Sequence, residues 1–456
     1  MGPASTRSNV KLSEIASTLA SLGAKPTQSL GQNFLHDQNL AKWIVEQVGI
    51  EAGQPWLEIG PGLGALTEYA QERSENGTLL EKDDRIIDWL RGRFPKLGLI
   101  HGDALDYDVR ELFWRGPVRV FGNLPYYVSS QLLFRFGEEP SPASSMVFTL
   151  QRELAERLCA SPRTKAYGAL TLLLGRRWKP ELVRILPARL FTPVPRVDSA
   201  VVRLTPREDG SLDECDDRLF RNLVKRGFAQ RRKQLRKNLD LERWPEIAAA
   251  IGVPGTARAE ELSLPQWIAL TNLAGGCTGD HSAKAQDTTG EIFDIVDQHD
   301  RVTGQAPRGE AHSRKLRHRA VHIFVFNNRG ELFLQKRSLW KDTHPRAWDS
   351  SASGHVNSGD TYTSTAPREL LEELGVSADL QEIGGVEACE GTGWEFVKIF
   401  HARHNGPFRL PPAEIECGGF FTIEQLSRWI AARPQDFATG FLECWKTLDA
   451  SHQLLH

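Results

Sequence analysis

A chain of 456 residues exceeds what one ordinary hydrophobic core organises, so it reads as two or three domains. With 40% hydrophobic and 25% charged residues and no apolar run near the roughly 18 residues a membrane helix needs, the composition is that of a soluble globular protein and excludes a helical membrane protein. A formal net charge of −2 excludes binding of polyanions over the whole surface and leaves nucleic acid only a local patch.

Residues 1–24 lack the apolar stretch of a signal peptide and read as a flexible leader of a cytoplasmic protein. The Gly2 to Thr6 match to a myristoylation pattern is loose, with Pro3 inside it, and is of the kind met by chance. The cysteines Cys159, Cys215, Cys277, Cys389, Cys417 and Cys444 form no C-x-x-C pair, which fits reduced packing thiols. Residues 25–205 alternate strand-like runs (55–60, 77–82, 97–103, 119–125, 145–151 and 199–206) with helical patterns, which predicts a doubly wound α/β domain. Over 206–273 the periodicity is helical only, at 218–239, 243–252 and 264–274, and predicts a small helical appendage. Residues 274–290 are small and polar and read as an interdomain linker. Residues 291–456 then return to strand patterns at 291–304, 322–337 and 394–404, as in a mixed α+β domain.

The strand Trp56-Leu57-Glu58-Ile59 runs into Gly60-Pro61-Gly62-Leu63-Gly64, a turn whose glycines let a nucleotide-like ligand approach the backbone. Glu81 ends the next strand, where an acid can accept from ribose hydroxyls, and Asp103 follows the third. To this point a plain connecting turn and a dinucleotide oxidoreductase both stay open. The fourth strand ends in Asn123-Leu124-Pro125-Tyr126-Tyr127, like the motif of N6-adenine methyltransferases. An exocyclic amine is a poor nucleophile while its lone pair is delocalised into the ring. Acceptors on its N–H bonds, here the Asn123 side-chain oxygen and the Leu124 carbonyl, localise that pair, and Tyr126 stacks on the extruded base.

With these motifs in order, residues 25–273 are similar to the ribosomal RNA adenine dimethyltransferase family. Four further segments carry the resemblance: Ser29-Leu30-Gly31-Gln32-Asn33-Phe34-Leu35, Gln151-Arg152-Glu153, Phe191-Thr192-Pro193-Val194-Pro195, and Gly227 through Arg231-Arg232-Lys233. It implies a Rossmann-like class I methyltransferase domain with a small helical C-terminal subdomain. It also implies that Asn33, Leu35, Gly60, Glu81, Asp103 and Asn123 bind S-adenosyl-L-methionine, and that Phe191 stacks on the base opposite Tyr126. The substrates implied are two adjacent adenosines in the 3′-terminal hairpin of 16S rRNA in the small ribosomal subunit, each dimethylated at N6. Lys82-Asp83 departs from the family, which often has an apolar residue there. Between Asp217 and Asp240 every charged residue is basic, and on one face of a helical appendage Arg231, Arg232, Lys233 and Arg236 would neutralise RNA phosphates.

A second constellation runs from Gly354 through Gly359-Asp360, Arg368-Glu369, Glu372-Glu373 and Gly375, and resembles the Nudix box. Glu369, Glu372 and Glu373 stand at helical spacing on one face, where carboxylates can hold Mg²⁺ or Mn²⁺ against the diphosphate of a small molecule. Asp360 stands where the box usually has Glu. The flanking segments resemble the isopentenyl-diphosphate-isomerase-like branch, which makes His312, His318, His355 and Glu395 counterparts of that enzyme's metal ligands. Gly393 replaces a second acid and Ser353 replaces the proton-transferring cysteine, which disfavours an isomerase and favours a diphosphate hydrolase or a degenerate binding module. For the N-terminal half the competing readings are a DNA N6-adenine methyltransferase and a ribosome-assembly factor without catalysis.

Overall fold

The computed structural model describes residues 12–23, 33–207, 211–213, 215–275, 290–338, 341–411 and 413–450. The first residues of the expected leader, residues 29–32 of the first family motif, Cys277 and most of the expected linker lie outside them. The chain divides into two compact units, residues 1–211 with 221–270, and residues 212–220 with 271–456.

Unit 1 is built on a seven-stranded sheet: β1 (Trp56–Ile59), β2 (Gly77–Glu81), β3 (Gly98–His101), β4 (Val118–Asn123), β5 (Ala143–Gln151), β6 (Trp178–Leu186) and β7 (Ser199–Pro206), in spatial order β3-β2-β1-β4-β5-β7-β6. The first five strands are parallel, and β7 runs antiparallel to both β5 and β6. Successive residues of the central strands feed opposite faces, as period-two geometry requires. Trp56, Leu79, Phe121, Val147 and Val201 enter one core, and Leu57, Leu80, Val120, Phe148 and Val202 the other. Burial on both faces explains why these strands read as continuous apolar runs. Helix α1 (Gln38–Val48) starts where the Asp37 side chain accepts from the Leu40 N–H at 2.9 Å, buries Leu40, Ala41, Ile44, Val45 and Val48, and ends at left-handed Gly49.

The strand β6 carries no periodic apolar signal, because Lys179, Pro180, Glu181 and Arg184 interrupt it. It occupies the sheet edge, the position where a proline and solvated charges are tolerated. The expected helical run over 218–239 is broken into α2 (Asp217–Ala229) and α3 (Leu235–Leu239) with a turn between them. Leu235 is fully buried and its N–H donates to the Ala257 carbonyl at 2.8 Å, while the Asn238 amide caps the Gly227 carbonyl at 2.7 Å. This tertiary pairing outweighs continued local helix. Two more helices, α4 (Trp244–Ala250) and α5 (Leu264–Ala274), complete the appendage. It packs on the α/β part through Tyr167, whose hydroxyl donates to the Leu262 carbonyl at 2.9 Å and whose ring meets Phe228 at 6.3 Å, while Phe228 stacks on Trp267 at 5.9 Å within the appendage.

From residue 290 onward, unit 2 opens on a hairpin, β8 (Ile292–Val296) and β9 (Val302–Pro307), followed by α6 (Arg308–Ser313). Its second sheet comprises β10 (His318–Phe326), β11 (Leu332–Arg337), β12 (Trp348–Asp349), β13 (Ala352–His355), β14 (Gln381–Val386), β15 (Glu395–Arg403) and β16 (Ile415–Phe421). The order is β12-β11-β10-β15-β14, with β13 also paired to β10 and β16 to β11, and β10 with β15 is the parallel pair. Helix α7 (Tyr362–Leu374), capped by Thr361 and closed by left-handed Gly375, lays Ala366, Leu370 and Leu374 on this sheet. Helices α8 (Ile423–Ala432) and α9 (Thr439–Ala450) follow. Among the described residues no helix is long and apolar enough to cross a membrane, and no cysteines are bridged.

Candidate functional site

In unit 1 the carboxyl ends of β1 to β4 open into a cleft, the place where α/β sheets bind ligands. Its lining includes Asn33, Leu35, Gly60, Glu81, Asp103 and Asn123, so the side chains singled out from separate motifs converge. The turn after β1 takes positive φ at Gly60, Gly62 and Gly64, a conformation that side chains with Cβ resist, and it sends the Gly62 N–H to Glu81 Oε2 at 3.1 Å. Glu81 Oε1 accepts the N–H groups of Lys82 and Asp83, both at 2.9 Å. Burial raises the Glu81 carboxyl, and these three amides oppose that rise. Asp103 is held low: against the cost of burial, the Lys82 ammonium at 2.5 Å and the Leu105 N–H stabilise its charge. The Asn123 side chain donates its Nδ2 to the Asn33 carbonyl at 2.6 Å. That bond settles which end of the amide is which and leaves Oδ1 as an acceptor.

Glu58 lies beneath the same turn, 1% exposed, taking the Thr67 hydroxyl at 2.5 Å. Burial pushes its carboxyl up to about 8, with the Thr67 bond opposing and the Glu81 charge adding to the rise. A carboxyl at 4.5 when unfolded and about 8 when folded keeps its proton only in the fold. Stability therefore falls as pH rises between those values. Glu58→Gln is expected to flatten the decline of melting temperature over pH 5 to 8, and a slope equal to the parent's would show that Glu58 is ionised in the fold.

On the appendage, Arg231, Arg232 and Lys233 occupy the turn between α2 and α3, not a helix face, and are exposed. Arg231 is engaged by Glu260 at 2.6 Å and the Thr164 carbonyl at 3.2 Å, Arg221 by Glu138, and Arg236 by Gln234 at 2.9 Å. Arg232 and Lys233 have no ion pair among the described residues.

The second constellation forms a cavity of about 600 Å³ in unit 2. Pairing of His318 with Glu395 across β10 and β15, and of Ala320 with His355 across β10 and β13, brings these side chains beside His312 of α6. Among the described residues, His312, His318, His355 and Glu395 put ligand atoms within 4.8 Å of one another. His355 Nε2 is 3.1 Å and His318 Nε2 3.5 Å from Glu395 Oε1. Burial lowers His355 and takes His312 down to about 4, with the neighbouring imidazoles adding to it. Glu395, despite its burial, is held well below the carboxylate range by His355 and His318. Among the described residues, the buried Nε2 atoms of His312 and His318 have no hydrogen-bond partner. Three imidazoles around one carboxylate, two of them with an orphaned nitrogen, form a donor set that suits a divalent cation.

Glu369, Glu372 and Glu373 line the same cavity without converging on one point. Glu373 Oε2 accepts from Gln335 and the Ser353 N–H, both at 3.0 Å; Glu369 meets Arg368 at 2.8 Å; and Glu372 stays exposed beside Arg368. Burial and the neighbouring Glu373 push Glu369 up to about 8. A Cβ on Gly354 would lie 2.1 Å from the Glu369 carboxyl carbon, so a larger residue there would displace the end of that side chain. Arg308, Arg337 and Lys341 also face the cavity and give it a cationic wall.

Residues 23–274 match the family model described as ribosomal RNA adenine dimethylase. The chain belongs to the ribosomal RNA adenine dimethylase family. It is 41% identical over 248 residues to "Ribosomal RNA small subunit methyltransferase A" of Thiobacillus denitrificans, covering 54% of this chain and 96% of that protein. Against the protein of the same name from Brucella anthropi it is 40% identical over 255 residues, covering 54% and 91%. Residues 316–439 match the NUDIX domain model, so this dimethylase chain also carries a Nudix domain. DR0079 from Deinococcus radiodurans, a solved structure, is 32% identical over 31% of this chain and 90% of its own, with a TM-score of 0.29.

Within the dimethylase fold, some motif residues stand apart from the cleft. Phe191 is 1% exposed, registered against Leu35 in a short antiparallel pair and packed in the core, so stacking on a base requires that pair to open. Leu124 is buried, with its N–H on the Thr149 carbonyl. Tyr126 is half-buried with its hydroxyl 2.6 Å from Ser199 Oγ, while Tyr127, 57% exposed, lines the cleft. Three cleft groups escaped the sequence reading. Glu58 was hidden as a strand residue, Lys82 was recognised only as a departure from the family, and Tyr127 was overshadowed by its neighbour.

Proposed function

We propose that unit 1 dimethylates the N6 amines of two adjacent adenosines in the 3′-terminal hairpin of 16S rRNA, with S-adenosylmethionine as methyl donor. The observation that carries this is the Asn123 amide, whose Nδ2 is taken by the Asn33 carbonyl so that Oδ1 is the end left to accept, in a cleft that Glu81 and Asp103 also line. Glu81, whose oxygens keep lone pairs beyond those used by the backbone, accepts the ribose hydroxyls, and Asp103 receives the adenine amine of the donor. At the other end Asn123 Oδ1 and the Leu124 carbonyl accept the target N–H groups, and an aromatic face, Tyr126 or its neighbour Tyr127, stacks on the extruded base. The nitrogen pair then forms the N–C bond in line as the C–S bond breaks; the electron pair goes to sulfur and the amine proton to solvent. Catalysis in this scheme is positioning and polarisation. Arg232 and Lys233, with Arg231 and Arg236 nearby, contribute phosphate contacts.

Unit 2 is read as a diphosphate hydrolase acting on a nucleotide-like small molecule. His312, His318, His355 and Glu395 suit Mn²⁺ or another imidazole-binding divalent ion, and the Nudix acids Glu369, Glu372 and Glu373 provide a second carboxylate wall with the oxygen donors that Mg²⁺ or Mn²⁺ takes. A cation bound there would supply Lewis-acid polarisation of the diphosphate. Arg308, Arg337 and Lys341 hold its oxygens.

The test is methyl transfer from labelled S-adenosylmethionine to under-methylated small ribosomal subunits, with the product digested to nucleosides and mapped. N6,N6-dimethyladenosine confined to the 3′-terminal hairpin is the expected result. Cofactor binding without RNA methylation, or methylation of DNA instead, would overturn the reading.

A further inference from the structure

One end of the unit 2 cavity is built from groups that the hydrolase reading does not use. His322 of β10 is 5% exposed, and its Nδ1 lies 2.8 Å from Ser350 Oγ. Ser350 Oγ also lies 3.3 Å from Asp349 Oδ1 and from the Ala352 carbonyl; its single proton goes to Nδ1 as the shortest of the three contacts, which puts the ring hydrogen on Nε2, an atom with no partner among the described residues. Nε2 faces the first turn of α9: a Cβ built on Gly440 would be 3.6 Å from it. The helical ladder there starts with the Leu442 N–H on the Ala438 carbonyl at 3.1 Å, so the amides of Thr439, Gly440 and Phe441 precede it, and none has an acceptor among the described residues. His322, Ala438, Thr439 and Gly440 all line the cavity. The nearest carboxylate, Asp349, is 3.9 Å from His322 Nδ1 and is covered by Arg337 at 2.9 Å.

Unpaired N–H groups at the positive end of a twelve-residue helix, joined by a buried imidazole donor, are complementary to a tetrahedral oxoanion. We infer that the His322 and α9 end of this cavity is a phosphoryl subsite, which takes a terminal phosphoryl group of the substrate. His318 and His322 lie four residues apart on one face of β10, on the order of 13 Å along the strand. The substrate therefore carries a phosphoryl group remote from the one at the His312 and Glu395 cluster. This inference rests on the reading of unit 2 as a site for phosphorylated small molecules.

The experiment uses the full chain freed of metal with EDTA and labelled with ¹⁵N-histidine, titrated with inorganic phosphate. Phosphate is expected to shift one imidazole Nε2 resonance, the one missing in His322→Gln. Its affinity should fall about tenfold in His322→Gln and in Gly440→Ala, whose methyl enters the subsite at ordinary contact distance. Thermal melting of both variants checks the fold, and Gly440→Ala decides the matter if the histidine variant unfolds. Unchanged affinity in a folded variant places the phosphate on Arg337 and Lys341 and overturns the subsite, as does acetate binding as tightly as phosphate. Phosphate binding of the expected kind in a chain that cleaves no diphosphate when Mn²⁺ is restored leaves the subsite standing and removes the hydrolase reading. The converse pattern removes the subsite alone.

Discussion

Asn123→Ala is expected to lower methyl transfer to under-methylated small subunits by about 10²- to 10³-fold while leaving S-adenosylmethionine affinity within a few-fold of the parent. The substitution removes Oδ1, the acceptor that localises the amine lone pair, and also the Nδ2 donor that ties the fourth strand end to the Asn33 carbonyl at 2.6 Å. The remaining acceptor, the Leu124 carbonyl, belongs to a buried backbone held by Thr149 and stays in place. Donor binding draws mainly on Glu81, Asp103 and the glycine turn, which the alanine leaves in place, so loss of the Asn123 contact and of its hold on Asn33 costs only a few-fold. Single-turnover rates separate chemistry from release, and calorimetry gives the cofactor affinity. A rate within threefold of the parent would remove Asn123 from the amine-activating role and with it the main argument for N6 chemistry.

The second large effect concerns the histidine cluster. Mn²⁺ at a hundredfold excess over its dissociation constant should stabilise unit 2 by about 2.7 kcal/mol, and Glu395→Gln, by weakening the cation about a hundredfold, should cut that gain to about 0.4 kcal/mol at the same Mn²⁺ concentration. Glu395 is the single carboxylate among three imidazoles, within 3.1 Å of His355 Nε2 and 3.5 Å of His318 Nε2, so glutamine preserves shape and removes the charge. The readouts are the Mn²⁺-dependent melting shift and direct titration of the ion. A shift retained in Glu395→Gln but lost in Glu373→Gln would move the cation to the acids of α7.

Both units were largely legible in the sequence where local chemistry speaks. Strands buried on both faces show as apolar runs, and the turn at Gly60, Gly62 and Gly64 shows because only glycine tolerates its backbone. The order of Glu81, Asp103 and Asn123 after successive strands places them at one sheet end, since parallel strands all point the same way. The edge strand β6 was not legible, because at an edge a proline and charges cost little. The break between α2 and α3 was hidden as well, because the residues there favour helix and only the pairing of Leu235 with Ala257 interrupts it. The same break moves Arg231 to Lys233 from a helix face to a turn.

Sequence by itself determined the family, the presence of a Nudix domain, the acids and amide at the strand ends, and the Nudix helix, since each depends on residues close along the chain or on an ordered series of motifs. Only the tertiary structure decided that Asn123 is oriented by a carbonyl ninety residues away, that Lys82 sits on Asp103, and that Glu58 is driven up to about 8 by burial. It also decided that His312, His318, His355 and Glu395 close on one point while the Nudix acids do not, and that His322 meets the bare first turn of α9. Strand register, burial and helix placement bring together groups far apart in sequence, and the distances and desolvation that set their chemistry exist only once the chain has folded.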